Sequence, residues 1–555
     1  MKASGARPGG DLIQIAGMRA KQALFQYNAS EFASIIEVMA SEIKISSARG
    51  MQPDLSFHHR TDNVISTLAY GSGYASSFAY WAVKIEGTRY TFPEKAMHLL
   101  VDYFLDGICQ SMIYGKYPDP GAENRGITRM GALHPVGPQL AENLARATTY
   151  RHDELLAMVK IRKDEMKPNR TRDWYFWHSH YYTHQRPNYF VSVRAHSDRA
   201  NNMEQPHNDE GILNHHYGDG SNFISVTGTE YTQIFPVWDW QKIPGTTVLQ
   251  KSELSHWKNL AKKGKTAFSG AVTAARYGVT SFDFESVHDP LKAKKAWFFF
   301  DKEYVCLGAG IETDTNLMVA TTINQSLLKG NVVVGSNGKM ETLKNGQHAL
   351  NHVDWIYHDR IGYYFPESEA MKLNNQAVSG NWRRINKQAW ATDQSVTKEV
   401  FLLWKEHGAK PQNANYQYMV VPDIAIENMS DYQGKEYISV ISNTPEIQAV
   451  KNKDLGVIQI VFYKKGSIAL DHDLKVSVEE PCILMLKMDN DTVQRISVAD
   501  PTTKLTSIQI AINHKITSQD KNIAIRWDSI IKSSIVTFDF PQAGMAGSTV
   551  TASFE

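Results

Sequence analysis

Two adjacent histidines, His58 and His59, are followed by Arg60 and, ten residues on, by Tyr70-Gly71 in the stretch SFHHRTDNVISTLAYGSGYA. Two imidazoles, a guanidinium and a phenol this close together are the groups an active site uses to hold a carboxylate and move a proton. The plainer reading is a pair of surface histidines and a core tyrosine. A second cluster lies in DPGAENRGITRM, where Arg125 and Arg129 are four residues apart. They follow Pro118, Pro120 and Gly121, so they belong to a loop leading into a helical turn, where two guanidiniums would suit an anionic ligand. Taken alone, they read rather as solvated arginines. A third cluster packs Arg194, Arg199, Glu204, His207, Asn208, Asp209 and Glu210 into 17 residues after an apparent strand end. A metal site made of His207, Asp209 and Glu210 is the weaker use of these groups, because near-adjacent ligands do not converge easily.

Other chemistries lack their signals. The chain has no nucleophile elbow, P-loop, HExxH or GxGxxG pattern, so no cofactor and no metal is expected. Its three cysteines, Cys109, Cys306 and Cys482, are far apart and form neither a disulfide framework nor a thiolate metal site. The net charge of +1 singles out no partner class, and no nucleic-acid partner is expected. A local excess of ten Lys/Arg over six Asp/Glu in residues 151–200 fits a solvated helix face or the edge of an anion-binding cleft. No apolar run approaches the roughly 20 residues of a membrane span. The opening MKASGARPGGDLIQ lacks the apolar centre of a signal peptide. The chain is therefore expected either to be intracellular or to start downstream of the protein's true beginning. Twelve tryptophans and 25 tyrosines suit a protein that stacks on sugar rings, and equally an all-β core.

The elements that must position these clusters change in type along the 555 residues, a length that implies about two to four domains. Residues DLIQIAGMRAKQALFQYNASEFASIIEVMASEIKIS, FPEKAMHLLVDYFLDGICQSMIYG and GPQLAENLARATTYRHDELLAMVKI place apolar residues three and four apart, as helices do. Pro93 stands near a helix start, and Tyr70, at the head of the Gly/Ser-rich YGSGYA, is expected to end a loop rather than fill a core. The polar clusters fall between the helices, as in a helical array whose loops meet on one face. From NYFVSVRAHS onward, short alternating runs punctuated by turns predict stacked antiparallel sheets. A second all-β stretch begins near residue 430. The polar interval of about 367–415 is expected to include a short helix, TKEVFLLWKEHG. There is no tandem repeat and no low-complexity tract.

In order and in residue type, these clusters resemble polysaccharide lyase family 8, the chondroitin, hyaluronan and xanthan lyases. PDLSFHH…YG resembles the family segment carrying the catalytic His and Tyr. MIYGKYPDPGAENRGITR resembles its paired-arginine loop, and SVRAHSDR…E…GDG its catalytic-Glu loop. EYTQIFPVWDWQKIPGTT, AWFFFDKEYVCLGAGI, TTINQ, SNTPEIQAV and VADPTTK resemble landmarks of its β domains. The resemblance covers nearly the whole chain. It implies an α+β multidomain fold: a partial α/α toroid over residues 1–175, a large antiparallel β-sandwich domain over 176–425 and a smaller C-terminal β domain over 426–555. The toroid is short compared with the family, as in a truncated form or a fragment.

By the same resemblance, His59, Tyr70, Arg125, Arg129 and Glu204 are the catalytic residues, and Asp11, His58, Arg60 and Asn208 bind substrate. The chain departs from the family in three places. Asp11, in PGGD, stands where the family has an asparagine, and two facing carboxylates repel unless one is protonated. The family's QH is replaced by HHR, with a longer spacing to Tyr70, so His58 and His59 compete for one role. An extra residue in the third loop favours Glu204 over Glu210. The implied reaction is β-elimination: the tyrosine takes the C5 proton of a uronate and protonates the leaving oxygen, while the histidine offsets the carboxylate charge. A free phenol titrates near 10, so a nearby guanidinium would favour the phenolate. The expected partner is an acidic polysaccharide such as a glycosaminoglycan, handled by a monomer in the extracellular or periplasmic space. A carbohydrate-binding relative without catalysis, for which Asp11 argues, and a hydrolase using Glu204 and Asp209 are the alternatives.

Overall fold

The computed structural model describes residues 10–204, 208–274, 276–433, 437–471, 474–490 and 492–555. Helices come first. In α1 (Gly10–Phe25), Ile13, Ala16, Gly17, Ala20 and Ala23 are buried, a stripe at helical spacing. The chain then breaks at Tyr27, which takes a left-handed φ of 54°, and Asn28 caps α2 (Ala29–Glu42) by accepting from the Glu31 N–H at 3.0 Å. The helix α3 (Ser72–Ile85) buries Tyr74, Phe78, Trp81 and Ile85, and Gly17 of α1 lies against the Trp81 indole. Pro93 precedes α4 (Glu94–Asp102), which runs on through a wide turn at Tyr103–Ile108. The third helical stretch read from the sequence is two helices, α5 (Gln139–Ala147) and α6 (His152–Arg162), separated at Arg151 with φ 48°. Two ladders of two residues per strand interrupt this helical part: Gly50–Met51 with Phe57–His58, and Met112–Ile113 with Tyr117–Pro118.

Strands take over at Arg172. A four-stranded antiparallel sheet of Arg172–Phe176, Tyr181–Gln185, Phe190–Arg194 and Ser221–Ser225 stacks on a 12-stranded antiparallel sheet. Tyr182 from the first lies flat on Phe299 from the second, with ring centroids 4.7 Å apart, inside their shared core. A six-stranded and a five-stranded sheet follow from Ile438 and enclose a separate core of Ile460, Leu484, Ile510 and Val536. The architecture is therefore a partial α/α toroid, then a large antiparallel β-sandwich, then a smaller C-terminal β-sandwich.

Two expectations fail. TKEVFLLWKEHG is not a helix: Val396–Ala409 is a strand of the large sheet, paired on one side with Met318–Leu327 and on the other with Ile361–Gly380. Its Val400-Phe401-Leu402-Leu403 run is buried throughout, and a strand covered on both faces shows no alternation to distinguish it from helix. YGSGYA is not a loop but the entry to α3, whose register of small and aromatic residues was hidden by its Gly and Ser.

The helical and β parts are sewn together by arginines from the third sequence cluster. Buried Arg194 donates to the carbonyls of Gly121 and Glu123, at 3.4 and 2.9 Å, and so fixes the loop that carries Arg125. Arg199 donates to the carbonyls of Ala267, Ser269, Pro501 and Thr502 at 2.7–3.2 Å, which ties the large sheet to the C-terminal part. Neither arginine is free to bind a ligand.

Candidate active site

Tyr70 lies in a wide helical turn, Thr67–Gly71, that leads into α3. A methyl group on Gly71 would overlap the Tyr103 hydroxyl and press on Phe57, so glycine lets the turn sit against the helical core and aims Tyr70 outward. The half-buried His59 ring lies parallel to the Tyr70 ring, with centroids 3.4 Å apart and planes 2° apart. Arg125 opens a short 3-10 turn, Arg125–Thr128, and its Nη2 donates to the Tyr70 hydroxyl at 2.9 Å. Asn124, just before it, donates to the Ile65 carbonyl, which holds the arginine loop against the segment leading to Tyr70.

Two carboxylates arrive from the β side. Glu204 is ion-paired with the Arg125 guanidinium, accepts from the Arg125 backbone N–H at 3.3 Å and meets Arg60 Nη1 at 3.3 Å. Glu210 accepts from Arg125 Nε at 3.3 Å and from Arg129 twice, at 2.8 and 2.7 Å. Arg125 is thus gripped by both Glu204 and Glu210, the two glutamates between which the sequence left the choice. Arg60, Arg125 and Arg129 meet these two carboxylates beside Tyr70, and the buried Glu123 also acts on Arg129.

Burial disfavours the Arg125 charge, but Glu204, with Tyr70 and Glu210, outweighs it and raises its pKa above the ordinary range. Burial raises Glu204 against the opposing pull of Arg125 and then Arg60. Burial would also raise Glu210, yet the Arg129 hydrogen bond and charge bring it below the ordinary carboxylate range. His59 is pushed down to about 4 by burial and then by Arg60, with Asp11 acting in the opposite direction. A neutral imidazole therefore lies on the Tyr70 ring at neutral pH, with an N–H to donate.

The other sequence candidates fall into place around this cluster. Asp11 is exposed in the first turn of α1, and its charge reaches His59. Asn208 is exposed with φ 56°, and its carbonyl accepts from Gln388. His58 does not belong to the cleft. It ends a strand with its side chain inward, 1% exposed, and its Nε2 pairs with Ser179 Oγ at 2.9 Å. His59 follows the last strand residue, in a bend, and is only half-buried, so of the two adjacent histidines it alone lies on Tyr70. Of the metal set, His207 lies outside the described residues, Asp209 is exposed with φ 56°, and Glu210 is spent on arginines. Among the described residues no group of three His, Cys, Asp or Glu is arranged to hold a metal ion.

Sequence reasoning missed Asn386, Lys387 and Gln388. Asn386 Nδ2 reaches the Thr128 carbonyl at 3.2 Å and Glu210 at 3.5 Å, while the Lys387 N–H donates to the Asp209 carbonyl at 2.9 Å. These bonds span more than 170 residues of chain, and no local pattern announces them.

Comparison with known proteins places the fold in a family. The polysaccharide lyase family 8 super-sandwich domain matches residues 171–433, and the family's C-terminal beta-sandwich domain matches residues 439–509. Chondroitinase-AC of Pedobacter heparinus is 33% identical over 518 residues, covering 90% of this chain and 69% of its own length. Hyaluronate lyase HylB of Enterococcus faecalis is 26% identical over 378 residues, covering 64% of this chain and 36% of its own. Among solved structures, a chondroitinase AC lyase superposes with a TM-score of 0.88 at 29% identity, covering 98% of this chain and 78% of that one. A Paenibacillus xanthan lyase shares the fold, with a TM-score of 0.87 at 21% identity, covering 99% of this chain and 56% of that one. The chain belongs to polysaccharide lyase family 8, and it is a polysaccharide lyase.

Two outcomes follow from the geometry around Tyr70. Gly71→Ala should destabilise the protein by about 1–3 kcal/mol, the usual cost of overpacking, as read from urea unfolding, and should lower turnover by displacing Tyr70. His58 behaves differently. Burial, and then the His178 charge, lowers its pKa from 6.5 to about 3, so the unfolded chain binds a proton that the folded one refuses. Its contribution to stability is complete above the unfolded value and is lost as pH falls from 6.5 towards 3. His58→Gln keeps a partner for Ser179 without that proton. Its urea midpoint should therefore fall less than wild type's across this window, and an equal fall would show that His58 does not drive the loss.

Proposed function

We propose that the chain cleaves a uronic-acid polysaccharide of the chondroitin or hyaluronan type by β-elimination, as a monomer in the extracellular or periplasmic space where such polymers lie. The observation that carries this reading is the Arg125-to-Tyr70 hydrogen bond beneath the His59 ring. Tyr70, as the phenolate, takes the C5 proton of the uronate. The electron pair released forms the C4–C5 double bond, the C4–O bond breaks, and the Tyr70 hydroxyl returns the proton to the leaving oxygen. Arg125 stabilises the negative charge on the Tyr70 oxygen at either end of this cycle. The neutral His59 N–H and Arg60 face the uronate carboxylate, whose charge must be offset before C5 gives up its proton. Arg129, with its side chain 49% exposed, attracts the polyanion. Similarity to a chondroitinase AC and to hyaluronate lyases supports the substrate class.

A hydrolase built on Glu204 and Asp209 fits less well, since Glu204 is held between Arg125 and Arg60 and Asp209 is exposed. A catalytically silent binder is favoured by one feature, the Asp11 carboxylate whose charge reaches His59. Near-ultraviolet absorbance across a panel of uronate polysaccharides separates the three. A lyase leaves an unsaturated uronate that absorbs, a hydrolase yields shorter chains without absorbance, and a binder yields neither.

Tyr70→Phe keeps the ring and removes the oxygen. Turnover should fall by at least the roughly 10²–10⁴-fold typical of acid–base groups while substrate affinity changes little. Retention of more than about a tenth of wild-type turnover would make Tyr70 structural. Arg125→Ala should weaken binding and turnover together. Asp11→Asn removes a charge that opposes the uronate, so kcat/KM should rise, most strongly at low salt. No change at low salt would mean that Asp11 does not face the substrate.

A further inference from the structure

Most tryptophans of this chain are buried, but Trp390 is 40% exposed. It belongs to the segment 381–393 of the large sandwich, which also presents Arg383, Arg384 and Lys387 against the single acid Asp393. The ring packs at a steep angle against the buried Trp382, with centroids 5.7 Å apart and planes 62° apart, so it is held by a neighbour while two-fifths exposed. The segment is bound to the active-site loops. Asn386 bonds Thr128 and Glu210, Lys387 bonds the Asp209 carbonyl, Gln388 bonds the Asn208 carbonyl, and Ile385 accepts from the Ile212 N–H at 3.3 Å. Trp382 also shares a core with Ile127, which stands between Arg125 and Arg129 in sequence. The platform and the arginine–carboxylate cluster therefore form one rigid rim.

We propose that Trp390, with Arg384 and Lys387, forms an extended subsite that holds the acidic glycan beyond the sugars flanking the scissile bond. A flat apolar ring suits the apolar face of a hexosamine or uronate, and flanking cations suit the carboxylates or sulfates that recur along such a chain. Exposed aromatic surface beside like-signed charge is the composition such a ligand needs. The acidic segment of another protein, which would need no flat ring, is less well matched. This inference rests on the reading of the chain as a lyase for acidic polysaccharides, and it concerns affinity rather than chemistry.

The test compares wild type, Trp390→Ala and Trp390→Phe on a long uronate polysaccharide and on its tetrasaccharide. Trp390→Ala should raise KM for the polymer by about tenfold, the scale of one lost stacking contact, with kcat unchanged. Trp390→Phe should restore most of the loss, and kcat/KM on the tetrasaccharide should not move. Calorimetric titration with the same polymer reads the subsite without turnover. Trp390-dependent binding in a protein that produces no unsaturated product would sustain the subsite and sink the lyase reading. Equal polymer affinity in wild type and Trp390→Ala, or parallel losses on polymer and tetrasaccharide, would overturn the subsite.

Discussion

Everything in this molecule that bears on chemistry turns on one buried guanidinium. Arg125 is 6% exposed, and a charge removed from water to that degree is costly unless its donors are matched. Glu204 and Glu210 match it from one side, and the Tyr70 hydroxyl takes a remaining N–H. Because Arg125 stands on the helical part and both carboxylates stand on the β part, the site exists only while the two parts are docked. Removing one carboxylate would leave a buried charge partly unpaired, which is far more disruptive than losing a surface ion pair.

The surrounding fold can be understood as support for that arrangement. Arg194 holds the carbonyls just before the Arg125 turn, Asn124 ties that turn to Ile65, and Gly71 allows the Tyr70 turn to press against Tyr103 and Phe57. On the far side, Asn386 clamps Glu210 from a strand connection of the large sandwich. Each support is a hydrogen bond or a close approach that a single substitution can remove. The placement of Arg125 and Tyr70 is therefore set by residues outside the cluster itself.

Much of this was legible in the sequence, and the parts that were not failed for definable reasons. The order of a His–Arg–Tyr segment, an arginine pair and a Glu-rich loop was readable because residue type and sequence order survive without knowledge of contacts. The strands were readable from residue 190 onward because short β-prone runs are punctuated there by turn residues. His58 and His59 could not be separated, since that depends on which residue ends a two-residue strand facing the core. Val396–Ala409 read as a helix because burial on both faces erases the period of two. The segment 381–393 was invisible because its partners, Thr128, Asn208 and Glu210, are remote in the chain and its own composition is an ordinary polar turn.

The central claim is that Glu204 contributes to turnover chiefly by holding Arg125 against Tyr70, beyond its contact with Arg60. A double-mutant cycle tests it directly: turnover is measured for Glu204→Gln in the wild-type background and again in a Tyr70→Phe background, with folding of each variant checked by its urea midpoint. If the account is right, Glu204→Gln lowers turnover in the wild-type background and costs much less once the Tyr70 oxygen is gone. The same loss factor in both backgrounds would contradict it, since Glu204 would then act on the reaction independently of Tyr70.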